Sequence, residues 1–399
     1  MKVKSFISLE EAIGILNNRV NNLEKEKVLL LDGLNRIIAE DIYSKIDNPP
    51  FDKSAMDGYA IIAGDSERLK VVGKIYAGEV YKGDVTKGTA VKVMTGAAIP
   101  KGADAVIKQE NVIIEGDYII LKNKIVKGEN ICEKGEDISK GALLIKEGKK
   151  LDYADIGILA SSGIGEIWVY KKPELAFIST GDEVIDINNK LEEGKIYNSN
   201  KYSILSRVKE LGYNVKDINH INDDYNKIAK YIEKLSKEVD LIITTGGVSV
   251  GEKDIIKEAI DLAKGEKLFW KVNIKPGSAV LCSKVNKAIV ISLSGNPTAA
   301  LTTFELLVKV TLEKLSGAKE IKIKKEKAIL LQDINKKGSK RRFLRGRFEI
   351  IDGKQYVNIT QIKSGNGILS SALNSNCIIE IEADNGVKFK GDLVNIIKL

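Results

Sequence analysis

The sequence predicts a multidomain protein of the α/β plus β class, in which a central α/β domain carries a mostly parallel sheet. Three features support this prediction. Three apolar strands each end in a glycine-containing loop, a glycine-punctuated β-rich stretch precedes them, and apolar and polar residues alternate in the C-terminal segment. A chain of 399 residues also exceeds the size that one hydrophobic core usually serves.

The most informative segment runs from Asp240 to Asp254. An apolar run typical of a buried strand gives way to Gly246-Gly247, a small-residue loop and Gly251, and a helical pattern follows. Backbone N–H groups at a helix start favour anions, and glycine lets a ligand approach the backbone closely. The Asp254 carboxylate would repel a bound phosphate unless a cation lies between them, so the loop predicts phosphate with a metal such as Mg²⁺. An ordinary strand-to-helix turn is the alternative interpretation.

Two further segments, Leu175–Val184 and Ala288–Leu301, repeat this order of strand, glycine and helix start. In the first, Asp182 and Glu183 follow the glycine. In the second, Asn296 stands where an N-cap belongs and Pro297 at the first helical position. Ligands of open parallel sheets bind beyond the carboxyl ends of the strands. We therefore expect the three loops to meet at one edge of the sheet.

Composition narrows the class of protein without identifying it. The net charge of +8 is spread among interleaved lysines and glutamates, and suits small anions as well as nucleic acid. No apolar run reaches the about 18 residues of a membrane-spanning helix, and the N-terminus lacks a signal peptide, so we expect a cytoplasmic protein that binds no membrane. Three distant cysteines fit reduced thiols. The lone histidine, His220, argues against a histidine-rich metal site, and we expect it to be structural.

Six segments carry a more specific signal: SAMDGYA (Ser54–Ala60), VMTGAAIPKGADAV (Val93–Val106), STGDE (Ser179–Glu183), TTGGVSVGEKD (Thr244–Asp254), WKVNIKPG (Trp270–Gly277) and SGNP (Ser294–Pro297). Together they resemble the molybdopterin molybdenumtransferase family (MoeA), to which the C-terminal domain of gephyrin also belongs. The segments occur in the family's order, and the similarity covers nearly the whole chain. The resemblance therefore does not depend on any single motif.

This resemblance implies a particular domain organisation. Residues 1–46 and 140–171 form a discontinuous, elongated N-terminal domain, and a β-rich module, 47–139, is inserted between them. An α/β molybdopterin-binding domain follows at 172–318, and a β-barrel-like domain at 319–399. The resemblance also implies a homodimer of elongated shape.

The resemblance further implies an enzyme of molybdenum cofactor biosynthesis. Such an enzyme inserts molybdate into adenylylated molybdopterin (molybdopterin-AMP) in the presence of Mg²⁺ and releases AMP. Substrate contacts are then expected at Gly246, Gly247, Ser249, Gly251, Pro276, Gly295, Asn296 and Pro297. The expected Mg²⁺ ligands are Asp224 and Asp254, since hard oxygen ligands suit this ion. Alternatively, Asp224 is the N-cap of a helix over Tyr225–Leu235.

Positive charge for the molybdate dianion is expected from Lys271 and Lys275, which a single strand would place on one face. The resemblance adds Arg345, and Ser249 as a second contact. Solvated faces are the alternative interpretation for the basic residues. Two positions depart from the family. Ser294 replaces a stiff proline, and Asn366 replaces a serine, so the choice between molybdate and tungstate stays open.

Asp57 and Thr95 lie in the β-rich module, where their spacing alone predicts turn residues. Both positions bear on activity in the family, which implies that the module reaches the active site of a partner subunit. Asp182 and Glu183 are expected to hold the substrate or to activate water. Expected protein partners are the molybdopterin adenylyltransferase and cofactor-accepting enzymes. Two other functions stay open: an adenylyltransferase, for which one α/β domain suffices, and a gephyrin-like scaffold.

Overall fold

The computed structural model describes residues 3–248, 255–335, 339–360, 368–383 and 387–399. The chain divides into two compact units. The large unit consists of Met1–Glu26, Asn35–Ile37 and Tyr170–Leu399, and the small unit of Lys27–Leu34 and Ile38–Val169. No helix among the described residues is long and apolar enough to cross a membrane.

The α-helices are α1 (Leu9–Arg19), α2 (Tyr153–Ser161), α3 (Ser199–Glu210), α4 (Tyr225–Leu235), α5 (Ile255–Leu262), α6 (Pro297–Thr303) and α7 (Lys309–Leu315). A π-helical turn, Phe304–Val308, joins α6 to α7, and 3-10 turns lie at Leu30–Gly33, Gln109–Asn111 and Leu369–Ala372.

The strands between residues 3 and 170 are β1 (Ser5–Ile7), β2 (Lys25–Leu29), β3 (Ile42–Tyr43), β4 (Lys53–Ser54), β5 (Gly58–Ile61), β6 (Arg68–Ile75), β7 (Thr89–Val93), β8 (Ala105–Lys108), β9 (Val112–Glu115), β10 (Tyr118–Leu121), β11 (Ile131–Cys132), β12 (Leu143–Ile145) and β13 (Glu166–Tyr170). The later strands are β14 (Leu175–Thr180), β15 (Val184–Ile185), β16 (Ile196–Tyr197), β17 (Val215–Ile221), β18 (Leu241–Thr245), β19 (Glu266–Val272), β20 (Ile274–Lys275), β21 (Val280–Val285), β22 (Ala288–Leu293), β23 (Glu326–Leu330), β24 (Ile334–Asn335), β25 (Arg341–Ile351), β26 (Lys354–Ile359), β27 (Cys377–Ile381), β28 (Val387–Lys388) and β29 (Leu393–Lys398).

The large unit is built on a sheet of seven strands in the order β1-β19-β21-β22-β18-β14-β17. Strands β22, β18, β14 and β17 are parallel to one another. Strand β21 runs antiparallel to both of its neighbours. Every residue of β14, β18 and β22 is buried, as expected for parallel strands that are covered on both faces. The predicted α/β class and mostly parallel sheet are confirmed.

Helices cover both faces of this sheet. On one face, Leu241 and Ile243 of β18 pack in a core with α1 and α3. On the other, Ile242 packs with α4 and α5. The alternation follows because successive side chains of a strand point to opposite faces. With both faces occupied, the carboxyl edge of the parallel strands is where a ligand is expected to bind.

The beginning of the chain belongs to the large unit. Strand β1 extends the sheet by pairing in parallel with β19, and Ser5 lies opposite Trp270. Helix α1 buries Leu9 and Leu16 in the same core as the sheet. The partners of β1 and α1 are distant in the sequence, so no local pattern reveals that β1 pairs with β19.

Five C-terminal strands form a closed barrel in the order β25-β26-β23-β29-β27, with β27 pairing back onto β25. The turn Asp352-Gly353 joins β25 to β26, and both residues have positive φ, 49° and 74°, as a two-residue hairpin turn favours. Phe343, Ile378 and Ile397 pack into the core of the central sheet. The barrel and the sheet therefore share buried apolar surface, and the predicted all-β C-terminal part is confirmed.

The small unit contains a six-stranded sheet in the order β8-β5-β7-β6-β10-β9, and the pairs β4–β11, β3–β12 and β2–β13. Three apolar cores lie within the small unit. Strands β5 and β7 are antiparallel, with Gly58 opposite Val93. This register brings Asp57, which precedes β5, next to Thr95, which follows β7.

Candidate functional site

Three loops meet at the carboxyl edge of the central sheet, as the sequence predicts. They follow β14, β18 and β22, which are adjacent and parallel. The backbone N–H of Gly246 donates to the carbonyl oxygen of Leu293 at 3.2 Å, which joins the second loop to the third strand. The hydroxyl of Thr180 donates to the carbonyl oxygen of Thr245 at 3.4 Å, which joins the first strand to the second.

Glycine is required where these loops touch. Gly246 has a φ of 89°, and a Cβ there would lie 2.4 Å from the carbonyl oxygen of Thr180. A Cβ on Gly295 would lie 3.6 Å from the Cα of Gly246, so the two loops are in van der Waals contact. Side chains at Gly246 would therefore force the strand ends apart.

Asn296 and Pro297 occupy the helix-start positions that the sequence predicts. The side-chain oxygen of Asn296 accepts from the N–H groups of Thr298 at 3.1 Å and Ala299 at 3.3 Å, and Pro297 is the first residue of α6. Ser294, where the family has proline, accepts from the Asn296 N–H through its hydroxyl at 3.2 Å. This hydrogen bond restrains the loop at the position where the family has the ring of proline.

Sequence reasoning missed Asn200, which supports the third loop. Its side-chain Nδ2 donates to the carbonyl oxygen of Gly295 at 2.8 Å. The side chain is buried, and its Oδ1 has no hydrogen-bond partner among the described residues. An asparagine in the first turn of a helix is too common to stand out in a sequence.

A cavity of about 490 Å³ lies beside the first loop, beyond the ends of β14 and β17. Asp182 lines it, and its carboxylate accepts from the Asp223 N–H at 3.2 Å. Glu183 is exposed, and its carboxylate lies against Gly181. Both acids predicted from the sequence therefore lie at this edge of the sheet. Desolvation and the two neighbouring acids raise the pKa of Asp223.

His220 lines the same cavity at the end of β17. Its Nδ1 lies 3.0 Å from the hydroxyl of Ser179, which in turn accepts from Nδ2 of Asn198 at 2.8 Å. Asn198 also caps α3 by accepting from the Lys201 N–H at 3.0 Å. Burial lowers the pKa of His220, although nearby carboxylates act in the opposite direction. The sequence predicts only a structural role for this residue, because no local motif accompanies it.

Asp224 is the N-cap of α4, as one of the two interpretations predicts. Its Oδ1 accepts from the N–H groups of Asn226 at 3.0 Å and Lys227 at 3.1 Å, and Lys227 Nζ lies 3.5 Å from its Oδ2. The backbone bond from Lys227 is the main reason why the pKa of Asp224 is lowered. The carboxylate is therefore ionised at neutral pH, and no backbone hydrogen bond to its Oδ2 is found among the described residues.

Several predicted site residues lie outside the described residues. They are Ser249, Gly251, Asp254 and Asn366. Within the described ranges, no group of three or more His, Cys, Asp or Glu side chains is arranged to hold a metal ion. The donor chemistry of Asp224 suits Mg²⁺, which takes one or two carboxylates and keeps several waters. Its ligation of Mg²⁺ stays a prediction.

Lys271 and Lys275 are not on one continuous strand, so the spacing argument for a shared face does not apply. Strand β19 ends at Val272, β20 begins at Ile274, and Lys271 has a φ of 61°. Lys271 Nζ lies 5.2 Å from the ring centre of Phe6 and 4.9 Å from that of Trp270. Lys275 is exposed and pairs through the backbone with Arg342 of β25.

Pro276 follows Lys275 through a cis peptide bond, at the start of the loop that leads to β21. A Cβ on the next residue, Gly277, would lie 3.2 Å from the carbonyl oxygen of Ala299 in α6. This loop therefore packs against the helix that starts at Pro297.

Arg345 is the most buried cation of the predicted set, with 8% of its surface exposed. No hydrogen bond or ion pair of its guanidinium is found within the described part of the chain. Desolvation lowers its pKa, whereas Glu305 acts to raise it. Glu305 already accepts from Arg207 at 2.7 and 3.3 Å and lies 3.8 Å from Lys309. Glu305, the acid that acts on Arg345, is therefore shared with two other cations.

Asp57 and Thr95 are brought together in the small unit. Oδ1 of Asp57 accepts from both the N–H and the hydroxyl of Thr95, each at 2.7 Å. The Thr95 N–H is the main cause of the lowered pKa of Asp57, and its hydroxyl is the second. The two residues, placed in separate motifs of the sequence, thus form one local arrangement.

Comparison with known proteins covers nearly the whole chain. Three family models match: MoeA N-terminal region (domain I and II) over residues 7–163, Probable molybdopterin binding domain over 176–314, and MoeA C-terminal region (domain IV) over 327–399. They match the two outer regions as well as the central α/β region.

Individual relatives give the same result. The molybdopterin molybdenumtransferase of Haemophilus influenzae is 36% identical over 379 residues, covering 94% of this chain and 93% of that protein. That of Staphylococcus aureus strain MSSA476 is 36% identical over 402 residues, covering 98% and 95%. The solved structure of the molybdopterin biosynthesis moeA protein from Pyrococcus horikoshii OT3 superposes with a TM-score of 0.83 at 34% identity, over 99% of this chain and 100% of that one. The resemblance seen in the six sequence motifs is thereby confirmed, and this chain belongs to the molybdopterin molybdenumtransferase (MoeA) family.

Proposed function

We propose that this protein inserts molybdate into adenylylated molybdopterin and releases AMP, in an Mg²⁺-dependent step of molybdenum cofactor biosynthesis. The observation that carries the proposal is the meeting of the three glycine loops at the carboxyl edge of the sheet. The family matches extend well beyond the α/β region, so a molybdopterin adenylyltransferase and a non-catalytic scaffold are not favoured.

The loops supply what a pyrophosphate group needs. The N-terminal end of the α6 dipole, at Pro297, favours negative charge beside the loops. Gly246, Gly247 and Gly295 let the loops pack closely against their neighbours, and glycine allows a ligand to approach the backbone. Asp182 and Glu183, beside the first loop, hold the substrate or activate water. Ser249 and Gly251 complete this cradle in the proposal.

The oxyanion end of the site is proposed to include Arg345, Lys271, Lys275 and Asn366. The dianion gains most from a cation that is shielded from water, and Arg345 is buried, with no hydrogen bond of its guanidinium among the described residues. Lys275 is exposed and free to turn toward a ligand. Pro276 contributes to the same loop. Tungstate has the same charge and shape, so competition between the two oxyanions measures the site's preference.

Asp224 and Asp254 are proposed to hold Mg²⁺. The bound ion would neutralise phosphate charge and so favour departure of AMP. The contribution of the protein is to hold an ionised carboxylate at the start of α4, where two backbone N–H groups fix its Oδ1.

The decisive experiment is anaerobic incubation of the purified protein with adenylylated molybdopterin, Mg²⁺ and molybdate, with AMP release as the measurement. Reactions without molybdate and without Mg²⁺ are the controls. AMP release that requires both molybdate and Mg²⁺ would support the proposal. Absence of release from intact, folded protein, or release that ignores molybdate, would contradict it.

We also propose a homodimer in which Asp57 and Thr95 act on the partner's site. Apolar side chains are exposed on two adjoining elements of the small unit, with Leu31 79% and Tyr153 85% accessible. Burial of such surface is a common driving force for association. Sedimentation at micromolar concentration should give the dimer mass, and a monomer would contradict this part of the proposal.

Cellular context completes the proposal. A cytoplasmic location fits a biosynthetic enzyme, and the molybdopterin adenylyltransferase and cofactor-accepting enzymes are the proposed protein partners.

We also propose that the chain has four domains, with boundaries near residues 47, 140, 172 and 319. Separate apolar cores in the β-rich module and in the barrel support this division.

A further inference from the structure

We propose that Phe6 is a positioning residue for the oxyanion, whose ring holds the ammonium groups of Lys271 and Lys340 close to each other. This role deepens the proposed function and rests on it, because Lys271 belongs to the proposed oxyanion end of the site. Three observations lead to it: the backbone conformation of Phe6, the cations around its ring, and its place at the edge of the central sheet.

Phe6 and Lys271 adopt a strained backbone conformation side by side on two paired strands. Ser5 of β1 lies opposite Trp270 of β19, so the residues that follow them, Phe6 and Lys271, are neighbours. Their φ values are 56° and 61°, in the left-handed region that residues with bulky side chains rarely adopt. Such strain persists only where the surrounding structure holds it, and it is concentrated at active sites and ligand-binding sites. The two side chains are therefore candidates for a functional role.

The ring of Phe6 has two ammonium groups near it, and they come from distant segments. The Nζ atom of Lys271 lies 5.2 Å from the ring centre, and that of Lys340, which directly precedes β25, lies 5.7 Å from it. Both distances are within the range of cation–π attraction. No carboxylate forms an ion pair with either lysine in the part of the chain that the structure describes. The Phe6 ring therefore attracts both ammonium groups, whose like charges repel each other.

Lys340 also contacts the loop that follows Lys275. Its Nζ donates to the hydroxyl of Ser278 at 3.3 Å, and that hydroxyl donates to the carbonyl oxygen of Val272 at 2.9 Å. The N–H of Val272 donates to the carbonyl oxygen of Ser278 at 3.1 Å. These bonds close the loop over the end of β19, next to Lys271. The N-terminal strand, the loop and the start of the barrel thus meet around one aromatic ring.

This cluster lies at the same edge of the sheet as the three glycine loops. Strand β21 is antiparallel to both β19 and β22, so β19 and β22 run in the same direction, and β1 is parallel to β19. The carboxyl ends of β1 and β19 therefore lie at the edge where the loops follow β14, β18 and β22. Phe6 is 51% exposed, so its ring is accessible there. An oxyanion that binds Lys271 and Lys340 is thus held at the edge that carries the loops.

The physical effect of the ring is to prepare the two cations for an anion. A free lysine side chain has many rotamers, and ordering it on binding costs conformational entropy. Cation–π contacts restrict both side chains before the anion arrives, so less of this cost falls on binding. An aliphatic side chain in place of Phe6 fills similar space but has no quadrupole to attract the ammonium groups.

The test measures binding of molybdate alone to the full-length protein by equilibrium dialysis. Phe6→Leu removes the aromatic ring and keeps an apolar side chain, whereas Phe6→Tyr keeps the ring. Phe389→Leu is the matched control, because Phe389 is 59% exposed and no cation lies over its ring among the described residues. We expect Phe6→Leu to weaken molybdate binding about fivefold, the effect of exposed cation–π contacts. We expect Phe6→Tyr to retain most of the affinity and Phe389→Leu to change nothing.

Two further readouts distinguish positioning from a purely structural role. In the complete reaction, Phe6→Leu should raise the molybdate concentration for half-maximal AMP release by a similar factor and leave the maximal rate unchanged. In a double-mutant cycle, Lys271→Gln should cost less molybdate affinity in Phe6→Leu than in the wild type, because part of the lysine's contribution depends on the ring. Phe6→Met, which also lacks a ring, replaces Phe6→Leu if the latter does not fold.

This role of Phe6 is overturned if folded Phe6→Leu binds molybdate as the wild type does, if Phe6→Tyr binds as weakly as Phe6→Leu, or if the wild type binds no molybdate at millimolar concentration. Additive effects of Phe6→Leu and Lys271→Gln would also overturn it. AMP release in the complete reaction tests the proposed function separately. Ring-dependent molybdate binding without AMP release would contradict only the proposed reaction, and molybdate-dependent AMP release with ring-independent binding only this role of Phe6.

Discussion

We predict that replacing Arg345 with methionine impairs the use of molybdate without lowering the stability of the protein. The guanidinium is 8% exposed, and Glu305, the acid that acts on it, is already paired with Arg207 through two hydrogen bonds. Removing Arg345 therefore leaves no buried acid without a partner. Methionine keeps much of the apolar stem and removes only the charged end.

The expected magnitudes follow from this arrangement. Replacing a buried charge that has no close ion-pair partner by an apolar group removes its desolvation penalty, so the thermal midpoint should stay the same or rise. A charge-assisted hydrogen bond to the oxyanion is worth roughly 1.5–3 kcal/mol. Arg345→Met should therefore raise the molybdate concentration for half-maximal AMP release about tenfold to a hundredfold.

The assay pairs thermal unfolding with AMP release at graded molybdate concentrations. Arg347→Met is the matched control, because Arg347 lies on the same strand, is exposed, and pairs with Glu349 at 3.1 Å. It should change neither measurement appreciably. A lower thermal midpoint for Arg345→Met with unchanged molybdate dependence would refute the reasoning and make Arg345 a structural residue.

Four further predictions concern the other charged residues. Asp224→Asn should leave folding intact, since asparagine caps a helix as well as aspartate does, yet should weaken the Mg²⁺ dependence of AMP release; an unchanged Mg²⁺ titration would remove Asp224 from the metal site. Lys275→Gln should shift the molybdate requirement more than pterin binding measured by fluorescence, and the reverse result would make Lys275 a phosphate contact. Because Thr95 lowers the pKa of Asp57, their hydrogen bonds should persist as the pH falls past the ordinary aspartate pKa and be lost only as it falls through the lowered pKa, which NMR titration of the carboxyl can check. Asp57→Asn should abolish activity, and mixing it with Asp254→Asn should restore some of it in hybrid dimers; verified hybrids without activity would contradict a shared site.

The predictions that the structure confirms are those encoded in short stretches of sequence. A buried strand, a glycine and a helix start follow one another within about ten residues, so local preferences alone predict each loop and its cap. The meeting of the loops then follows because adjacent parallel strands end at the same edge. Asn296 and Pro297 are the clearest cases.

What the sequence could not predict depends on residues that are far apart in the chain. The left-handed backbone of Lys271 lies in a strand that pairs with β1, where Phe6 has a similar φ of 56°. Nothing in the segment around Lys271 indicates that pairing. The cavity is likewise assembled from separate segments, and Asn198, Ser179 and His220 meet only after β14 and β17 have paired. The pairing of Asp57 with Thr95 needs the β5–β7 register.

The discontinuity of the large unit has a consequence for synthesis on the ribosome. Strand β1 emerges first, but its neighbour in the sheet is β19, so Ser5 cannot pair until Trp270 has been made. The small unit, by contrast, is almost continuous in sequence and is complete by Val169. Domains generally fold as units during synthesis. The small unit can therefore fold while α1, with its apolar face, still lacks the core that covers it, and the nascent chain carries that exposed face through most of its translation.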